Sequence, residues 1–118
     1  MAILRISDLK LRTIIGTQDW ERAIKQDVVI NVNLKYNAQR AIRSDCLKGA
    51  LDYKAITKKI ITAVENNQFH LLEKLTDHVL KLIMKESQVK AATVRIDKPG
   101  ALRFADSVSV ELNAKRQP

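Results

Sequence analysis

The feature that most constrains this chain is a change of hydrophobic period along its length, from two to about 3.6 and back to two. Residues 27–36 alternate, with Val28, Ile30, Val32, Leu34 and Tyr36 on one side and Asn31, Asn33 and Lys35 on the other, Val29 being the exception. Successive side chains of a strand point to opposite faces, so this run reads as a half-buried strand. Residues 3–15 are also β-rich and poor in breakers, interrupted at Asp8, and their connection to the next run begins at Gly16 and passes through Asp19-Trp20-Glu21. The two runs predict a long hairpin. Residues 38–50, punctuated by Ser44-Asp45 and Gly49, read as a loop with one helical turn.

Two helices follow. Asp52 can cap the first, whose apolar residues Ile56, Ile60, Ile61 and Val64 recur at helical spacing before Asn66-Asn67 closes it. Leu72, Leu75, Val79, Leu82 and Ile83 form the stripe of the second, which runs to about residue 86, with Lys74, Asp77, Lys81 and Lys85 on its opposite face. Period two then returns, with Ala92, Val94 and Ile96 before Lys98, and Val108, Val110 and Leu112 after the Pro99-Gly100 turn. The order β-β-α-α-β-β predicts one α+β domain over residues 1–118, an antiparallel four-stranded sheet with both helices on one face. Its long edge strands carry no internal proline and invite pairing, so a symmetric oligomer joined edge to edge is expected.

Aromatic residues are only 4% of the 118, so the core must be built from Ile, Leu, Val and Ala, and association would support so thin a core. The longest apolar run is residues 1–4, too short for a membrane span or a signal-peptide core. With a single cysteine, Cys46, there is no internal disulfide, and these features together predict a cytoplasmic protein with Cys46 as a packed or half-exposed thiol. The net charge of +8 suits an anionic partner, nucleic acid or a phosphorylated small molecule. Its basic residues are scattered, however, and no longer clustered than the pairs Lys58-Lys59 and Lys115-Arg116. With few aromatics to stack bases on, a solvated surface is the better reading than a nucleic-acid face.

No phosphate loop, paired-cysteine zinc pattern, histidine-glutamate helix motif or serine elbow occurs in the chain. His70 and His78, read as lying on one helix, are about two turns apart, too far to share a metal, and no metal or cofactor is expected. The remaining candidates are Lys98 at a strand end, Tyr53 directly after a helix cap and Glu73 in the first turn of a helix. Each has a structural reading as well: a charge guarding a sheet edge, a ring to pack, an acid favoured by the helix dipole. A lysine, a tyrosine and a glutamate can also move protons together without metal or cofactor.

These residues carry a resemblance. Gly16 through Glu21, Leu51-Asp52-Tyr53, Phe69-His70-Leu71-Leu72-Glu73-Lys74 and Lys98-Pro99-Gly100-Ala101 resemble the successive motifs of the dihydroneopterin aldolase family, in order and over nearly the whole chain. The resemblance implies the tunnelling fold, in which the four-stranded sheets of several subunits close into a barrel with helices outside, as a tetramer or a stacked octamer. It implies sites between neighbouring subunits, with Tyr53 of one chain reaching the Glu73 and Lys98 of another, and a pterin as the small-molecule substrate. Within such a site Glu73 would hold the amino group and ring N–H of the pterin, with Leu72 beside it. Lys98 would be the main proton-transfer group, acting through an ordered water. Tyr53 would assist at the side-chain carbon, and Glu21 would line the side-chain end of the pocket.

The implied reaction is a retro-aldol cleavage of dihydroneopterin to hydroxymethyl-dihydropterin and glycolaldehyde, a step of folate synthesis. Ordinary aldolases use a lysine Schiff base or a metal as the electron sink, whereas the ring imine of the reduced pterin can itself take the electrons. If the aldehyde turns over before the bond re-forms, the same intermediate yields the epimer. Asp19-Trp20-Glu21 and Pro99-Gly100 resemble the aldolase, while Glu65-Asn66-Asn67 and residues 101–109 resemble the sister family, dihydroneopterin triphosphate epimerase, for which Arg103 or Lys54 could meet the triphosphate. The aldolase is the first expectation and the epimerase the alternative, with a basic nucleic-acid-binding module third.

Overall fold

A computed structural model describes residues 1–117. Strand β1 (Ala2–Ile15) leads through helix α1 (Asp19–Ala23) into β2 (Gln26–Tyr36). Helix α2 (Gln39–Ser44) and a 3-10 turn (Leu47–Gly49) then carry the chain to α3 (Tyr53–Glu65). Short strand β3 (Gln68–Phe69) and helix α4 (Leu72–Met84) follow, and β4 (Val89–Pro99) and β5 (Ser107–Lys115) close the fold. Strands β1, β2, β4 and β5 are antiparallel neighbours in that order. The expected four-stranded sheet gains a fifth member, because β3 runs parallel to the end of β1 with Ile14 opposite Gln68 and Ile15 opposite Phe69. Two residues are too few to show an alternation, so this strand left no periodic signal.

The long hairpin is present, and Asp8 interrupts it as a bulge. Its φ is +54° and the register between β1 and β2 shifts between Ile6 and Leu9. The extra residue exchanges the faces of β1 about that point, so Leu4 and Ile6 before the bulge and Leu11, Thr13 and Ile15 after it turn toward the core. The Asp8 N–H is satisfied by the Asn31 side-chain oxygen at 3.0 Å.

Helices α3 and α4 pack together over one face of the sheet, as expected. Asp52 caps α3, accepting from the Ala55 N–H at 3.1 Å. Ile56, Ile60 and Val64 of α3, and Leu72, Leu75, Val79 and Ile83 of α4, bury against Val28, Ile30, Val32, Leu34, Ala92, Val94 and Ile96. The buried hydroxyl of Thr13 donates to the Val64 carbonyl at 2.7 Å, fastening the C-terminal end of α3 to the end of β1. The opposite face of the sheet is polar: Arg5, Asn31, Asn33, Thr93, Arg95 and Glu111 line a hollow of about 180 Å³ on it. Val108, Val110 and Leu112 of edge strand β5 are only partly buried.

Other expectations are corrected. Residues 38–50 hold a full short helix, ended by Asp45 at φ +49°, and then a 3-10 turn; α2 buries no residue, so it has no apolar stripe to read. The connection through Asp19-Trp20-Glu21 is helical. His70 and His78 do not share a helix, since His70 precedes α4, and the His78 ring lies 5.5 Å from that of Phe69. Cys46 is exposed rather than packed. The turn after Lys98 extends over residues 100–106, with positive φ at Gly100 (+72°) and Phe104 (+73°). Among the described residues no helix is long and apolar enough to cross a membrane.

Candidate active site

Two of the sequence-selected residues meet. Lys98, near the end of β4, donates from Nζ to Glu21 Oε2 of α1 at 2.6 Å, across 77 positions of chain. The two side chains are 14% and 10% exposed, so the pair is largely withdrawn from water but open on one side. The carboxylate accepts two further hydrogen bonds. Its Oε1 accepts the Gln18 N–H at 3.2 Å, and Oε2 accepts Gln26 Nε2 at 3.2 Å. The Lys98 hydrogen bond holds the Glu21 carboxyl well below the usual range, at about 2, with help from Gln26 and Gln18, while burial acts in the opposite direction.

The local chain explains why Glu21 sits there. Gly16 adopts φ +132°, a conformation that favours glycine, and a side chain at that position would run into the Glu21 carboxyl. Gln26, at the start of β2, also donates to the Ile15 carbonyl at 2.7 Å, so it bridges the end of β1 and the carboxylate. Sequence reasoning gave no separate role to Gly16 and missed Gln18 and Gln26. No periodicity marks them, and their only signal is closeness in sequence to Glu21.

Glu73 occupies the first turn of α4, exposed and with no hydrogen bond or ion pair to its side chain among the described residues, beside buried Leu72. The start of α4 is carried to this end of the sheet by β3, whose Phe69 carbonyl accepts the Gly16 N–H at 3.2 Å. Glu21, Lys98 and Glu73 therefore stand on elements that converge on the junction of β1, α1 and β3. No direct contact joins Glu73 to the ion pair.

Tyr53 does not join them. It begins α3 and is 53% exposed, whereas the other end of that helix is the one fastened to Thr13 near the junction. Thirteen helical residues separate the two ends by about 18 Å, so Tyr53 and the adjacent exposed Lys54 lie far from Lys98 of their own chain. Arg103 lies in the exposed loop between β4 and β5 with its guanidinium 5.3 Å from the Phe104 ring centre. The hollows on the open sheet face, about 280 and 180 Å³, include none of Glu21, Lys98 or Glu73.

A largely buried ion pair at a sheet end, with an unpaired carboxylate on a helix start that is carried to the same end of the sheet, can hold and move protons around a small polar ligand. The family model described as dihydroneopterin aldolase matches residues 4–113, nearly the whole chain. The chain belongs to the dihydroneopterin aldolase family. Among relatives of this family, the dihydroneopterin triphosphate 2'-epimerase of Escherichia coli K12 is 50% identical over 115 residues, covering 98% of this chain and 96% of that protein. The dihydroneopterin aldolase of the same organism is 30% identical over 110 residues, covering 93% and 90%. The crystal structure of E. coli dihydroneopterin aldolase in complex with neopterin superposes with a TM-score of 0.92 at 29% identity, over 97% of this chain and 99% of that one. Membership in the dihydroneopterin aldolase family accounts for the shared α+β architecture.

Proposed function

We propose that this chain is an enzyme acting on the side chain of a dihydroneopterin, opening the bond between its first and second side-chain carbons by proton transfer. The observation that carries the reading is the Glu21–Lys98 pair at the β1–α1–β3 junction, close in the fold to the start of α4. Glu73, unpaired and at a helix start, can accept two charge-assisted hydrogen bonds from the amino group and ring N–H of a pterin, fixing the ring beside Leu72. Lys98, which donates to Glu21 at 2.6 Å, is the proton-transfer group of this reading, acting through an ordered water. The hydroxyl on the second side-chain carbon gives its proton through that water to the Glu21–Lys98 pair, the bond between the first and second side-chain carbons breaks to leave an aldehyde, and the electron pair passes to the ring imine, which becomes an enamine. Return of the proton to the first side-chain carbon releases the cleaved products. Re-addition of the aldehyde through its other face gives the epimer.

Of the two outcomes, the greater identity to the epimerase favours epimerisation of the triphosphate, with exposed Lys54 and Arg103 as candidate contacts for its charge. Cleavage of unphosphorylated dihydroneopterin is the second reading, favoured by the close superposition on the neopterin-bound aldolase. Both require more than one chain. Tyr53 starts α3, at the end away from the one fastened to Thr13, which supports a site that takes its tyrosine from a neighbouring chain. The half-buried apolar row of β5 and the polar open face suit sheets joined edge to edge around a wet interior.

Separate substitutions test this assignment. Lys98→Ala should abolish turnover and leave pterin binding largely intact, whereas Glu73→Ala should weaken binding itself. Isothermal titration with neopterin and a turnover assay on the same samples read the two effects. Equal loss of binding in both variants would contradict the assignment.

A further inference from the structure

We propose that Arg22 is a positioning residue that sets the spacing between the Glu21–Lys98 pair and the Glu73 end of α4; this rests on the proposed pterin site. Arg22 follows Glu21 in α1, and its guanidinium reaches the other side of the junction. Nη1 donates to the Phe69 carbonyl at 2.6 Å and to the Gly16 carbonyl at 3.2 Å, while Nη2 donates to the Gln68 side-chain oxygen at 3.3 Å. One side chain thus grips β1's exit and both residues of β3. The link it reinforces is slight, because β3 contributes only two residues to the sheet. Four positions after Phe69 stands Glu73.

The consequence is geometric. Glu21 and Arg22 share the rigid turn of α1, so the residue that pairs with Lys98 and the residue that grips β3 move together. Since Glu73 has no contact of its own with the ion pair, the distance between the group that would hold the ring and the group that would move the proton is set by the packing of α4 on the sheet and, at the N-terminal end of that helix, by this grip. A planar guanidinium with several fixed donors suits the task, because it satisfies converging oxygens in one orientation, which a lysine ammonium cannot reproduce. Misplacing a catalytic group by about 1 Å can cost about 100-fold in rate.

The test compares Arg22→Met, Arg22→Lys and, as a stability control remote from the junction, Ile60→Val. Amide hydrogen exchange on the full chain reads the grip without any ligand. In Arg22→Met the amides of residues 68–73 should exchange at least tenfold faster, while those of β2 and β4 keep wild-type rates. Turnover reads the consequence: kcat/KM should fall roughly 10- to 100-fold in Arg22→Met, with KM and kcat both affected. Arg22→Lys should restore only part of this, and Ile60→Val should change neither quantity well below its thermal midpoint. Unchanged exchange at residues 68–73 would overturn the proposal whether or not the wild type turns over a pterin. Faster exchange with kcat/KM no lower than in Ile60→Val would overturn it as a statement about positioning. Absence of turnover in the wild type would instead count against the functional reading, and exchange would still decide whether Arg22 sets the junction.

Discussion

Replacing Glu21 by Gln removes one charge with little change of shape and leaves the Lys98 ammonium, 14% exposed, without its counter-ion. The size of the effect follows from the carboxyl itself, which is depressed from 4.5 to about 2. Each tenfold change in proton affinity is worth about 1.4 kcal/mol, so the folded state gains on the order of 3 kcal/mol from holding Glu21 ionised. Because the folded value lies below the unfolded one, this stabilisation is complete above about pH 4.5 and is lost as pH falls through about 2. Glu21→Gln lacks it at every pH. The variant should therefore be less stable than wild type by up to about 3 kcal/mol at pH 7, roughly 10 °C in thermal midpoint for a chain of this length, and the gap should close between pH 4.5 and 2. Urea unfolding of both proteins at pH 7, 5, 3.5 and 2.5 measures it, at one fixed protein concentration because association shifts midpoints. A gap independent of pH, or one below about 1 kcal/mol at pH 7, would refute the reasoning that a buried ion pair holds this end of the sheet.

Further outcomes are expected. If neighbouring chains share a site, Tyr53→Phe and Lys98→Ala, each inactive alone, should regain roughly a quarter of wild-type activity when unfolded together and refolded as a random mixture, since one arrangement in four pairs the two intact residues. No recovery in assembled mixtures would contradict a site that draws Tyr53 and Lys98 from different chains. Gly16→Ala should displace the Glu21 carboxyl and strain the backbone at φ +132°, lowering stability by roughly 1–3 kcal/mol in urea titrations. An unperturbed midpoint would show that the close approach is relieved cheaply.

What the sequence made legible depends on the kind of force at each place. β2, α3 and α4 were readable because each buries one regular face, Val28 to Leu34 at period two and Ile56 to Val64 and Leu72 to Ile83 at helical spacing. Asp52 marked its helix start because a cap is a local hydrogen bond. By contrast β3 is held by a two-residue ladder and the Arg22 side chain, and α2 by its own backbone, so neither leaves an apolar pattern. Lys98, Glu73, Tyr53 and Glu21 were each singled out, by position or by resemblance, but the 2.6 Å contact spanning 77 residues was beyond any local pattern. Tyr53 stands where the sequence put it, after the cap; its distance from Lys98 became visible only once the direction of α3 against β1 was known.

The most direct test of the account is to incubate the protein separately with dihydroneopterin and with its triphosphate and to resolve the pterin products by chromatography. The account predicts bond opening at the side chain, seen as the 2'-epimer from the triphosphate, with hydroxymethyl-dihydropterin and glycolaldehyde from dihydroneopterin if cleavage competes. Recovery of both substrates unchanged by a folded, assembled protein would contradict it.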